Sequence, residues 1–249
     1  MELISKYTAE AGHWYTEKGD PAYTIIGKNG NERATTLRDA RKLGYKPSVT
    51  MILREAAKPG LDNWKIEQNI LASLTLPRIK DETEQDYIKR IREDAKQQAI
   101  KAAGRGTEIH KWIQQGFEGV HHDIDSEAWK YYYIAYTALN VVCCSQVWTC
   151  EQSFSTEKYG GKIDLHCPKY LFDIKTKESI KDAKTWDEHA MQIAAYQEGI
   201  GHTGIGGILF VSTTEIDANV VLIEPEKIER GWFMFRALVD YWYAKTGLK

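Results

Sequence analysis

Side chains of a strand alternate between two faces and those of a helix return to one face every three or four residues, so the spacing of apolar positions proposes the elements. Residues 159–167 and 170–176 alternate as two short strands around the turn Pro168-Lys169, and 146–154, 207–213 and 219–223 read as three more. Helical spacing covers 126–139, 187–200 and 225–246. It also covers 108–115, where Ile109, Trp112 and Ile113 form an apolar stripe. From Gly106 onward the order is helix, helix, strand, strand, strand, helix, strand, strand, helix.

The N-terminal part differs. Residues 13–26 alternate aromatic and polar around Gly19-Asp20-Pro21 and predict a hairpin, with a second turn at 27–31. Ser48 is placed to N-cap a short helix through Met51-Ile52-Leu53, which Lys58-Pro59-Gly60 is expected to stop. A helix over 61–74 and a charged helical stretch over 81–103 follow, the latter interrupted by Gly104-Arg105-Gly106-Thr107. The expected division is 1–103 as a hairpin and helical DNA-contacting region and 104–249 as the core with its C-terminal helix.

Composition narrows the class. The 249 residues are 43% hydrophobic and 11% aromatic, ample for a packed core, and no apolar run approaches the roughly 20 residues of a membrane span. Residues 1–6 lack a signal peptide's charged start and apolar stretch, which predicts a cytoplasmic protein without membrane contact. Cys143, Cys144, Cys150 and Cys167 show no paired spacing, so buried reduced thiols are expected rather than zinc or disulfides. The net charge of -2 argues against a basic coat, yet residues 37–65 carry seven Lys or Arg against three acids. That local excess suits a polyanion or a solvated helix face.

The chemistry concentrates on the paired strands. Asp173 and Lys175 share a strand face, and antiparallel pairing brings Asp164 to the same edge. Two hard oxygen donors and an ammonium then surround a point suited to a divalent cation. Gly160-Gly161 permits close backbone approach, and Gln192 and Tyr196 lie one helical turn apart. His110 and Glu151 are further candidates. Taken singly, each has a plainer reading: a structural histidine, a strand ion pair, a core tyrosine. His121-His122 beside Asp123 is read as an incidental loop cluster.

Taken together, Gly106-Thr107-Glu108-Ile109-His110, Gly161-Lys162-Ile163-Asp164, Asp173-Ile174-Lys175-Thr176 and Gln192-Ile193-Ala194-Ala195-Tyr196 resemble the RecB-type branch of the PD-(D/E)XK nuclease superfamily. The segment 47–53 is also similar to one in phage exonucleases and the mitochondrial genome maintenance exonuclease. The resemblance implies an α/β (α+β) restriction-endonuclease-like core, with a central mixed sheet flanked by helices and an N-terminal hairpin and helical extension. It implies Asp164, Asp173 and Lys175 as catalytic residues. It further implies His110, Asp164, Asp173 and the Ile174 carbonyl as ligands of Mg²⁺ or Mn²⁺, with Glu151 as an additional candidate. Substrate contacts would come from Ser48, Thr50, Arg54 and Thr176, and Gln192 and Tyr196 would position the phosphate backbone or brace Lys175. The N-terminal helices would wall the site, with Trp64 and Trp112 available for stacking. No iron-sulfur cluster is expected, because no cysteine precedes Cys143 or follows Cys167, and no P-loop is present. The expected activity is that of a DNA exonuclease of phage or prophage type acting on linear DNA with a free end, beside a recombination or helicase partner. A structure-selective endonuclease and an inactive nucleic-acid-binding module are the alternatives.

Overall fold

A computed structural model of the chain describes residues 12–144 and 146–248. The expectations for residues 1–6 lie outside them. Five strands form the central sheet in the order β5-β6-β7-β8-β9: β5 (Thr149–Ser155), β6 (Gly160–His166), β7 (Tyr170–Lys177), β8 (Ile205–Ser212) and β9 (Ala218–Leu222). β7 and β8 are parallel and the other pairs antiparallel, so the sheet is mixed and the fold is α+β. Parallel neighbours need a crossover, and α6 (Asp187–Ile200) supplies it.

The apolar runs of β7 and β8 follow from burial on both faces. Leu171, Ile208 and Phe210 face a core formed with α6 and α7 (Pro225–Thr246). Phe172, Ile174, Leu209 and Val211 face a second core under α4 (Glu84–Phe117) and α5 (Glu127–Cys143). Burying each such side chain contributes roughly 1.5–3 kcal/mol. β6 departs from alternation. Ile163 enters the first core and Leu165 the second, although two residues apart they belong on one face. This turnover coincides with Glu151 on β5, which opposes Asp164 and has a left-handed φ of 53°.

α6 and α7 match their sequence-based bounds, α5 runs a full turn beyond the expected end at 139, and the earlier part corrects several expectations. The chain does bend at Gly19-Asp20-Pro21, with one bridge between Tyr15 and Pro21. The hairpin ladder, however, joins β2 (Thr24–Ile26) to β3 (Glu32–Ala34) across the second turn. β1 (Trp14–Tyr15) instead pairs with β4 (Lys46–Pro47). Helix α1 (Leu37–Leu43) carries a reciprocal Thr36/Asp39 cap and ends at Gly44. Ser48 caps α2 (Val49–Ile52), its hydroxyl accepting from the Met51 N–H at 3.0 Å. Pro59 starts α3 (Pro59–Thr75) rather than stopping the preceding turn, because a first helical position needs no N–H donor.

The expected break at 104–107 is absent. α4 runs unbroken through both glycines and through position 103, the sequence-based boundary. Two helical glycines cost roughly 1 kcal/mol each relative to alanine, a cost that tertiary packing overrides. Among the described residues, no helix is long and apolar enough to cross a membrane. The cysteines are free thiols, but only Cys143 and Cys167 are buried; Cys144 is exposed and Cys150 half-buried, since α5 ends just before Cys144.

Candidate functional site

The β6-β7 ladder closes only at Leu165↔Phe172 and His166↔Leu171. Beyond it the strands part, and the Asp164 carboxylate fills the gap, its Oδ2 accepting from the Ile174 N–H at 2.7 Å. Alternation on β7 sends Asp173 and Lys175 toward α6. There Lys175 Nζ lies 2.7 Å from Asp173 Oδ2. His110 enters from α4 and places Nδ1 3.8 Å from Asp164 Oδ2. Two donor atoms at that separation lie within the span of one ion with bonds of about 2.0 to 2.6 Å.

Gly106 sets the approach of His110. A Cβ at Gly106 would stand 2.7 Å from Thr176 Oγ1, so α4 can lie this close to β7 only with glycine there. His110 follows one turn later. Gly160 acts similarly for the N-terminal segment: a Cβ there would meet the Tyr15 side chain at 2.6 Å. β1 and α2 can therefore dock beside β6, where Ser48 bridges to Gly160.

Gln192 ties the cluster together. Its amide nitrogen donates to Asp173 Oδ1 at 2.6 Å and to the Tyr196 hydroxyl at 2.9 Å, and its carbonyl accepts from Lys175 Nζ at 3.0 Å. Gln192 and Tyr196 are 4% and 3% exposed, so of the two roles expected of them their burial favours bracing the cluster from beneath over direct contact with a substrate. Ser48, at 3%, is likewise buried by its capping role. Thr50, 3.0 Å from the Ser48 hydroxyl, is half-buried, Arg54 is exposed, and Thr176 lies under α4. Trp112 stacks on Tyr131 beneath Arg105 and belongs to the packing of α4 on α5.

Electrostatics sharpen the picture. Burial, and then the charge of Asp173, push the Asp164 carboxyl well above the usual carboxylate range. Burial alone would lower Lys175, but the Asp173 charge and contact outweigh it and raise its pKa, so the group is an ammonium. Burial pulls His110 down to about 4, against the charge of Asp173 and a hydrogen bond to the Ile174 backbone, leaving a neutral imidazole able to ligate.

Two observations bear on whether a cation fits. Asp173 Oδ2 is buried and, among the described residues, lacks a properly directed hydrogen bond although Lys175 is near. Two carboxylates, Asp164 and Asp173, lie near the single ammonium of Lys175. The donors suit a hard divalent ion. As the side chains stand, no group of three or more His, Cys, Asp or Glu among the described residues is gathered into a closed ligand set.

Lys162, Tyr15 and His189 were missed in the sequence. Lys162 pairs with Glu151 beside Asp164, a contact that alternation alone would not reveal because β6 turns over between Ile163 and Leu165. Tyr15 hydrogen-bonds Tyr23 at 2.7 Å near Glu151. His189 stands one turn before Gln192.

The sequence matches no protein-family model and no curated protein. Among solved structures, the chain is similar in fold to an exonuclease candidate from Eubacterium rectale, at 14% identity and a TM-score of 0.40, over 58% of this chain and 69% of that one. It is also similar to SSO0001, at 14% identity and a TM-score of 0.30, over 71% of this chain and 85% of the other.

Proposed function

We propose that the chain is a metal-dependent DNA nuclease of the PD-(D/E)XK type that digests linear DNA from a free end. One observation carries the reading. His110, Asp164, the Ile174 backbone, Asp173 and Lys175 come from three elements to the place where β6 and β7 part, and the buried Asp173 Oδ2 there lies against the Lys175 ammonium without, among the described residues, a properly directed hydrogen bond. The superfamily resemblance of these same residues supports it.

Asp164, Asp173, the Ile174 carbonyl and neutral His110 would hold Mg²⁺ or Mn²⁺, with Glu151 a further ligand if it releases Lys162. Such an ion, when bound, acidifies a water molecule and offsets charge on a phosphodiester. Lys175, held as an ammonium beside Asp173, is placed to act as a donor. Its ammonium orients the attacking water and stabilises the charge that develops on the phosphoryl oxygens. Gln192 fixes the Asp173–Lys175 spacing, and Tyr196 fixes Gln192. Arg54 and Thr50 stand on the N-terminal side as phosphate contacts. A role in phage recombination or replication, with a helicase or recombinase as partner, follows from the resemblance.

The test incubates the protein and Lys175→Ala with end-labelled linear DNA and closed circles in Mg²⁺, Mn²⁺ or EDTA. The expected result is metal-dependent loss of linear DNA that disappears in the variant. Cleavage of circles would replace the exonuclease reading with an endonuclease. Cleavage in EDTA, or by Lys175→Ala at the wild-type rate, would remove the mechanism.

A further inference from the structure

Two stripes run outward from the cluster side by side. On β7 the odd positions Asp173, Lys175 and Lys177 share one face. On α6 the residues Tyr196, Gln192 and His189 lead along one face toward Trp186 at the N-cap. The inner rungs are paired, because Gln192 contacts both Asp173 and Lys175. His189 is the next rung. It is buried, and its Nδ1 accepts the Trp186 N–H at 3.0 Å. The charges of Lys175, Lys177 and Lys58 all act on it.

The outermost rung is open. Trp186 keeps 48% of its surface, and the Lys184 ammonium lies 4.6 Å from its ring centroid. Lys177 Nζ lies 5.1 Å from the Phe210 centroid and, among the described residues, forms no ion pair. Lys58 pairs with Glu188 at 3.2 Å, yet the buried Glu188 Oε2 lacks a directed hydrogen bond. An exposed indole with two cations at the end of a catalytic stripe is what a single nucleic-acid strand needs, a ring to stack on and charges for its backbone. Two positions along a strand advance about 6.7 Å, comparable to the spacing of successive phosphates in an extended polynucleotide.

Resting on the nuclease reading above, we propose that Trp186 and Lys177 form a single-strand subsite next to the cleaved bond: Lys177 contacts the neighbouring phosphate and Trp186 stacks on a base. Lys175 serves the scissile phosphate, and the strand leaves past the start of α6.

The experiment measures anisotropy of a labelled short oligothymidylate, and of an abasic strand of equal length, in EDTA, followed by cleavage kinetics with Mn²⁺. Trp186→Ala should weaken oligothymidylate binding about tenfold and leave abasic binding unchanged, with Trp186→Phe restoring most of the loss. Lys177→Gln should weaken both strands and lower the salt slope by about 0.7. In cleavage, both variants should raise KM with little change in kcat. Thermal unfolding of each variant confirms that it folds. Unchanged oligothymidylate affinity in Trp186→Ala, or equal loss on the abasic strand, would overturn the subsite whether or not the protein cleaves. A wild-type protein that binds as described but cleaves nothing would instead remove the nuclease reading.

Discussion

Replacing Gln192 by leucine keeps much of the volume and removes every polar contact of the bridging amide. Two of its three hydrogen bonds involve charged partners, Asp173 Oδ1 at 2.6 Å and Lys175 Nζ at 3.0 Å, and the third reaches the Tyr196 hydroxyl at 2.9 Å. Hydrogen bonds to charged groups are worth about 1.5–3 kcal/mol and neutral ones about 1 kcal/mol. Asp173 is 3% exposed, so water cannot replace the lost donor without opening the site. Because the contacts share partners they are not additive, and a net loss of about 4 kcal/mol is expected. For a chain of this size that lowers Tm by roughly 8–16 °C. The assay is urea unfolding at neutral pH in EDTA, with Gln192→Glu as a second variant that keeps the carbonyl side toward Lys175 and places a carboxylate against Asp173. Gln192→Glu should be still less stable without metal. A loss below about 1 kcal/mol in Gln192→Leu would refute the argument, because Asp173 and Lys175 would then not depend on the amide.

Gly104 and Gly106 separate helix propensity from packing. Gly104→Ala has open space around its Cβ and should stabilise by about 0.5–1 kcal/mol, whereas Gly106→Ala should press α4 off Thr176 and reduce cleavage at least about tenfold, as paired unfolding and activity measurements would reveal. Burial, then the charges of Lys175, Lys177 and Lys58, hold His189 down at about 3, so between pH 6.5 and about 3 the unfolded chain binds the extra proton and stability from this group is lost as pH falls. Asp164, raised, acts with the opposite sign, so the readout is the difference between wild type and His189→Asn, which should shrink by up to about 1.4 kcal/mol per pH unit on acidification through that window; a pH-independent difference would contradict it. Glu151→Gly should relieve the left-handed backbone and cost no stability in spite of losing the Lys162 pair, while lowering cleavage; a destabilised variant in thermal unfolding would show that the ion pair outweighs the strain.

Legibility in the sequence followed the range of the forces involved. Helices α6 and α7 were readable because periodicity, Pro225 and the left-handed Gly201 and Gly247 act locally. Strands β6 and β7, and with them Asp164, Asp173 and Lys175, were readable from alternation. α1 had a local signal too, the Thr36/Asp39 capping box before Gly44, but the charge of the segment drew the reading to its surface. The continuity of α4 was not legible, because Gly106 is explained only by Thr176, 70 positions later. Nor could spacing tell whether Gln192 faces outward or inward: that depends on which face of α6 packs on the sheet.

The cluster also has a history within each folding event. His110 and Gln192 are 82 positions apart, and Gln192 sits on the crossover whose place is fixed only when β8 pairs beside β7. Such non-local pairing closes late, since loop entropy must be overcome before the contacts form. A chain that ends before α6 lacks Gln192 and the crossover that carries it, so the bridged Asp173–Lys175 arrangement requires this late part of the sequence.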